Sequence, residues 1–276
     1  FEKHLKFSTA QPNWPDRDRF ILSAGHGSML LYSVAYLCGY ADFDIDQLKN
    51  FRQLGKKTAG HPENFLSDVI ETTTGPLGQG IANSVGFAIA EESLRARFGQ
   101  NIIDHHTFVI AGDGCLMEGV SQEAISLAGH LRLHKLIVFW DNNNITIDGT
   151  VDLTDSTDQK TRFEASGWEV IEIDGHDPEE IDSAISAAKK SEKPTMIACK
   201  THIAIGTAAQ DTSKGHGALT DPELIKDARE VYQWSHKPFD IPKSIKEQWE
   251  QAGLEGDNAF KRWQSNLENL SNLKRK

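Results

Sequence analysis

Cysteine is scarce: Cys38, Cys115 and Cys199 are the only three in 276 residues, far apart and with no Cys-x-x-Cys spacing. That excludes a disulfide framework and a cysteine-built zinc site. Small apolar fillers in a reducing, cytoplasmic compartment are the expectation. No window reaches about 18 consecutive apolar residues, so no helical membrane span is expected. The opening FEKHLKFSTA has no apolar leader core. Basic clusters are lacking too. Lys and Arg total 29 against 40 Asp and Glu, a net charge of −11, which argues against nucleic acid or an anionic membrane as partner. There is no G-x-S-x-G elbow and no G-x-x-x-x-G-K-[ST] loop, and the glycines at 75–80 do not have G-x-G-x-x-G spacing. His105 and His106 are adjacent, so on a strand they would face opposite sides, a poor geometry for one metal.

What is present is an ordinary globular composition, 38% hydrophobic and 25% charged, in a chain long enough for one large domain or two small ones. Glycines at 25–27 precede an apolar run from 29 to 40, a loop feeding a helix. A short helical piece is expected near 46–54. Ile81, Val85, Ala88 and Ile89 give one buried face of a long helix reaching about Phe98. Residues 107–111, 136–140, 168–173 and 195–200 are short and rich in Val, Ile and Phe, as buried strands are. Helical patterns at 118–131, 158–166 and 178–189 lie between them. This alternation predicts an α/β fold, a doubly wound and mostly parallel sheet with helices on both faces. From 236 onward Pro238, Pro242 and an amphipathic stretch at 245–273 read as a helical arm with a basic tail.

In such sheets ligands sit where strands end in turns. The turn after 111 reads Gly112-Asp113-Gly114, where a carboxylate can enter the crevice while glycines let backbone N–H groups approach a phosphate. Gly-Asp-Gly is also an everyday turn. The turn after 140 reads Asp141-Asn142-Asn143-Asn144-Ile145, with Asn143 thirty residues after Asp113. One crossover separates the two turns, so they should be neighbours. A carboxylate, an amide oxygen and a backbone carbonyl form an incomplete oxygen shell that Mg²⁺ commonly completes with phosphate and water.

Gly-Asp-Gly followed after about thirty residues by Asn resembles the metal and diphosphate motif of thiamine diphosphate enzymes. Further strings resemble the transketolase family: Ser23-Ala24-Gly25-His26-Gly27-Ser28, Phe51-Arg52-Gln53-Leu54, Gly60-His61-Pro62-Glu63, Thr73-Thr74-Gly75-Pro76-Leu77-Gly78-Gln79-Gly80, Ile173-Asp174-Gly175-His176-Asp177 and Gly215-His216-Gly217. They occur in family order and cover nearly all of the chain to about 240. The resemblance implies that 1–235 is a pyrophosphate-binding domain and 236–276 an arm or linker towards a pyrimidine-binding domain. It implies Asp113, Asn143 and the Ile145 carbonyl as holders of Mg²⁺ or Ca²⁺, with Gly114 on the diphosphate. Gly75, Pro76 and Leu77 would line the cofactor. His26, His61 and His216 would surround the diphosphate, thiazolium and substrate oxygens, His26 and His216 binding cofactor, His61 and His216 catalytic. Glu118 would be an acidic residue at a subunit interface that couples two sites.

The same resemblance implies transfer of a two-carbon ketol unit between sugar phosphates, in a homodimer or with a pyrimidine-binding partner. It also implies that this chain starts after a front helix and lacks the glutamate that activates the cofactor. The expectation is a fragment or one subunit of a split enzyme, inactive alone. A 2-oxo acid dehydrogenase first component, a phosphoketolase and a non-catalytic binding module are the rivals. Ala204 and Leu219 depart from the family pattern; because Ala tolerates positive φ poorly, the diphosphate-covering loop is expected to take another path.

Overall fold

Alternation along the strands decides what each face of the sheet receives. The computed structural model describes residues 1–217 and 219–270. In chain order it contains β1 (Arg19–Leu22), α1 (Ser28–Cys38), α2 (Ile45–Lys49), α3 (Gln79–Phe98), β2 (Thr107–Gly112), α4 (Asp113–Met117) and α5 (Gly119–His130). Then follow β3 (Leu136–Asn142), α6 (Gln159–Ala165), β4 (Glu169–Asp174), α7 (Pro178–Ala188), β5 (Thr195–Lys200), α8 (Pro222–Val231) and α9 (Lys243–Glu268). The strands form one parallel sheet in the order β1-β2-β3-β5-β4.

Val109, Leu136, Val138 and Met196 face α3, α5 and α6, whose Ile81, Val85, Ile125 and Phe163 complete that core. Phe108, Ile137 and Ile197 face the other way, against Ala184 and Ala188 of α7. Leu22 meets Leu31, Tyr32 and Ala35 of α1 in a third cluster. The expected doubly wound α/β fold with helices on both faces is therefore the observed one.

The elements differ from expectation in detail. β1 has only four residues and no alternation of its own; its pairing with β2 (Arg19 beside Thr107) makes it a strand. The helix expected at 46–54 stops at Lys49, and Arg52 then takes φ 62. α8 follows an Asp-Pro start, with the Asp221 side chain accepting from the Glu223 amide at 3.0 Å.

α9 lies back on the N-terminal segment and α1. A Cβ at Gly256 would come 1.5 Å from the Phe7 carbonyl oxygen, and Trp263 Nε1 donates to the Ile102 carbonyl at 2.7 Å. The basic tail and the end of the expected arm lie outside the described residues. Among the described residues no helix is long and apolar enough to cross a membrane.

Candidate active site

The parallel pairing of β2 with β3 sets Gly112 beside Asp141, so the two turns singled out by the sequence adjoin. Asp113 opens α4 and is 7% exposed. Trp140 Nε1 donates to its Oδ1 at 2.9 Å and the Asn144 amide to its Oδ2 at 3.1 Å. Asn144, at φ 63, turns that amide back to the carboxylate. Burial pushes the Asp113 carboxyl up to about 6 in spite of these two donors.

Asn143 is oriented by Asp141, which accepts from its Nδ2 at 3.1 Å, and by the Ile145 amide, which donates to Oδ1 at 2.9 Å. The Ile145 carbonyl accepts no backbone hydrogen bond among the described residues. This set suits a hard cation. One desolvated carboxylate needs a counter-charge, and the amide and carbonyl oxygens are the neutral ligands Mg²⁺ and Ca²⁺ take. Among the described residues no cluster of three His, Cys, Asp or Glu side chains is placed to hold a metal. A cation here would therefore depend on further oxygens from its ligand.

The other half of the site comes from loops around β1. Thr74 Oγ1 donates to the Leu22 carbonyl at 2.8 Å, fixing the 72–78 turn against the strand end. Gly75 takes φ 147, and a Cβ there would lie 3.1 Å from His61 Cγ. Leu77 reaches across to Gly114: a Cβ on Gly114 would meet its Cδ1 at 3.0 Å. Pro76 is exposed beside them. The turn thus joins the histidine side of the site to the Asp113 side.

His26 and His216 stack, their ring centroids 5.1 Å apart at 20°. His26 exposes more than a third of its surface, yet the loops around it remove enough water to lower its pKa. The positive charges of His216 and His61 add to this. His61 is exposed and His216 half-buried, so the three imidazoles lie on an open floor. Glu118 stands apart from them: it is exposed at the start of α5, and a Cβ on Gly78 would meet its Cβ at 2.8 Å.

The 201–217 loop carries His216. It begins with Thr201 Oγ1 bonded to Asp141 Oδ1, which ties it to the Asn143 turn. Ala204 does take positive φ, at 51, and its carbonyl accepts from Thr207 Oγ1 at 2.8 Å. Its Cβ fits because Gly215 lies opposite: a Cβ there would sit 2.8 Å away. The alanine therefore adopts the left-handed conformation itself.

Sequence reasoning passed over Asp141 and Thr201 as individual residues, although their polar oxygens at the ends of β3 and β5 were the signal. His202 bonds Asp211 within this loop, a structural role.

Comparison with known proteins bears on this geometry. A family profile described as "Transketolase, thiamine diphosphate binding domain" matches residues 1–275. A transketolase from Rhodobacter capsulatus is 55% identical over 276 residues, covering 100% of this chain and 41% of the relative. The crystal structure of a Campylobacter jejuni transketolase superposes with a TM-score of 0.94 at 45% identity, covering 98% of this chain and 43% of the other. A Pichia stipitis transketolase in complex with sedoheptulose 7-phosphate gives 0.92 at 42% identity, covering 97% of this chain and 40% of the other. The chain spans about two fifths of the length of the relatives it matches.

Proposed function

This chain belongs to the transketolase family, as its thiamine diphosphate binding domain, and from that premise we propose that it serves transfer of a two-carbon ketol unit from a ketose phosphate to an aldose phosphate. The observation that carries the reading is the convergence of three imidazoles, His26, His61 and His216, on a turn whose Leu77 abuts the Asp113 loop.

Asp113, Asn143 and the Ile145 carbonyl would hold the divalent cation, Mg²⁺ or Ca²⁺, and Gly114 would let the diphosphate approach the backbone. Gly75, Pro76 and Leu77 would line the cofactor. When bound, thiamine diphosphate supplies the carbon chemistry, stabilising an acyl-anion equivalent. The chain's own residues orient substrate and handle protons. His26, with a lowered pKa, is neutral at pH 7 and can accept a proton from a sugar hydroxyl. His216, stacked on it, would steady that ring and bind a substrate oxygen, and His61 would donate a hydrogen bond to another.

An open floor of this kind cannot exclude water by itself. Val120 and Leu127 on α5 and Ile147 and Leu153 after β3 are exposed apolar side chains around the Asp113 side. They support a partner surface here, either a second copy in a homodimer or a pyrimidine-binding domain, with Glu118 in that interface. A cytoplasmic enzyme acting on soluble sugar phosphates agrees with the sparse cysteines and acidic charge.

The test compares the isolated 276-residue chain with the enzyme that contains it, using a ketose phosphate or a 2-oxo acid as donor. Transfer from the ketose phosphate by the enzyme alone is expected. Activity only with a 2-oxo acid would overturn the reading, and turnover by the isolated chain would refute the need for a partner.

A further inference from the structure

Asp141, near the end of β3, holds two parts of the site with its two carboxylate oxygens. Oδ2 accepts from Asn143 Nδ2 at 3.1 Å, and Oδ1 accepts from Thr201 Oγ1, where the 201–217 loop begins. One carboxylate thus touches both the oxygen turn that suits a cation and the loop that carries His216.

The fold brings these partners together. In the β3–β5 register Asp141 lies beside Cys199 and Asn142 beside Lys200, and the Thr201 amide extends that ladder by donating to the Asn142 carbonyl at 3.3 Å. The turn after β4 then seats Thr201. A Cβ on Gly175 would come 2.5 Å from Thr201 Cγ2, so the bare glycine makes room for the methyl group while the hydroxyl turns to Asp141. His176 of the same turn accepts from the His202 amide at 3.0 Å. Beyond this anchor the loop is bonded to itself: the Asp211 amide donates to the Ile203 carbonyl at 3.2 Å and the Gly215 amide to the Thr212 carbonyl at 2.9 Å. His216 has no side-chain hydrogen bond among the described residues; its ring rests on His26. Its position therefore depends on where the loop is fastened.

A cation on Asn143 Oδ1 would polarise that amide and strengthen its donation from Nδ2 to Asp141. A carboxylate held more firmly on one side offers a fixed acceptor on the other. We propose that Asp141 is a positioning residue that couples cation binding at Asp113, Asn143 and Ile145 to the order of the 201–217 loop, and so to the placement of His216. Such coupling is reciprocal, so loosening the loop also weakens the cation. The inference rests on the reading of that turn as a cation and diphosphate site.

The test uses the complete enzyme with Mg²⁺ and inorganic diphosphate, a probe that fills the turn without bringing a thiazolium to the histidines. Calorimetry measures binding, and amide hydrogen exchange with and without the probe measures the order of 203–216. The ratio is taken within each variant, so a general loss of stability does not imitate the effect. In the unaltered enzyme the probe is expected to slow exchange in 203–216 about fivefold or more. Thr201→Val keeps the methyl packed on Gly175 but removes the donor, and the slowing should fall below about twofold. Thr201→Ser should restore it. Asp141→Asn, which turns one of the two acceptor oxygens into an N–H donor, should lose the slowing and weaken Mg²⁺ binding about tenfold. If the probe binds but exchange in 203–216 does not respond, or responds equally in Thr201→Val, Asp141 does not couple the two and the proposal is overturned. If Mg²⁺ with diphosphate does not bind the unaltered enzyme, the reading of the site itself fails, and this inference with it.

Discussion

His202 Nδ1 lies 2.9 Å from the Asp211 carboxylate and closes the 203–210 segment into a loop. The backbone amide of His202 donates to His176 Nε2 at 3.0 Å, and the two imidazoles stack with centroids 5.8 Å apart. On the far side of the loop, Tyr232, which caps the C-terminus of α8, donates its hydroxyl to the Ile205 carbonyl at 3.1 Å. His216 follows a few residues later, so its stack on His26 inherits its position from these braces.

Opening the His202–Asp211 pair should therefore weaken cofactor binding while leaving the fold intact. Both side chains are nearly half exposed, so the pair contributes only about 0.5–1 kcal/mol. Asp211→Asn is expected to raise the thiamine diphosphate Kd about two- to fivefold and to speed protease cleavage within 203–216. Unchanged cleavage and unchanged affinity would show that the pair does not brace the loop.

Asp113 gives a pH dependence of defined sign. Its folded carboxyl titrates at about 6, above the unfolded value of roughly 3.9. Between those values the folded state keeps a proton that the unfolded state has released. Stability of the metal-free protein therefore falls at this site as pH rises from about 4 to about 6, by at most about 3 kcal/mol. A cation needs the ionised carboxylate, so its affinity should fall about tenfold for each pH unit below 6. The check is the Tm gain from Mg²⁺ with thiamine diphosphate at pH 5 and pH 7.5, with Asp113→Asn as the reference for the cofactor's own titration. Equal gains at both pH values, relative to that reference, would contradict it.

How far the sequence foretold this structure follows from the range of the forces involved. The four longer strands were legible because the short apolar runs within 107–112, 136–142, 169–174 and 195–200 can satisfy both their side chains and their backbone inside a sheet. Asp113 and Asn143 were legible as neighbours because one crossover between parallel strands fixes their separation. β1 was not, since four residues gain strand structure only from β2. The left-handed Ala204 was not, since its Cβ is admitted by Gly215, eleven positions away and brought close only by the loop's own path. Nor was the His202–Asp211 bond, since nine positions separate the two residues and only the loop's path brings them together.

A buried ion pair away from the site gives a stability prediction. Lys135 Nζ lies 2.6 Å from Glu91 Oε1 and also pairs with Asp104, while Glu91 is 1% exposed and burial raises its pKa. Removing the cation leaves a carboxylate with little solvent and, among the described residues, Arg95 at 3.5 Å as its remaining counter-charge. Lys135→Met should cost about 3 kcal/mol. Adding Glu91→Gln should return part of that loss, because the uncompensated charge is gone. Denaturant melts of the two single variants and the double variant provide the cycle; strictly additive losses would mean the pair is not coupled.

Gly75 offers a way to separate strain from site geometry. At φ 147 an alanine suffers backbone strain of about 1–3 kcal/mol, and its Cβ would also press on His61 at 3.1 Å from Cγ. The second effect falls on an exposed ring that can swing away, so it adds little to the stability cost but moves an imidazole out of place. Gly75→Ala should therefore lower Tm by a few degrees while lowering kcat of the complete enzyme at saturating cofactor about a hundredfold, the cost of misplacing a group beside the chemistry. Gly80→Ala is the counterpart. There a Cβ would lie 2.5 Å from Ser23 Cα, backbone that cannot swing away, so the loss should appear in Tm first. If Gly75→Ala instead loses activity only in proportion to the unfolded fraction, the turn serves the fold, and His61 owes nothing to the missing side chain.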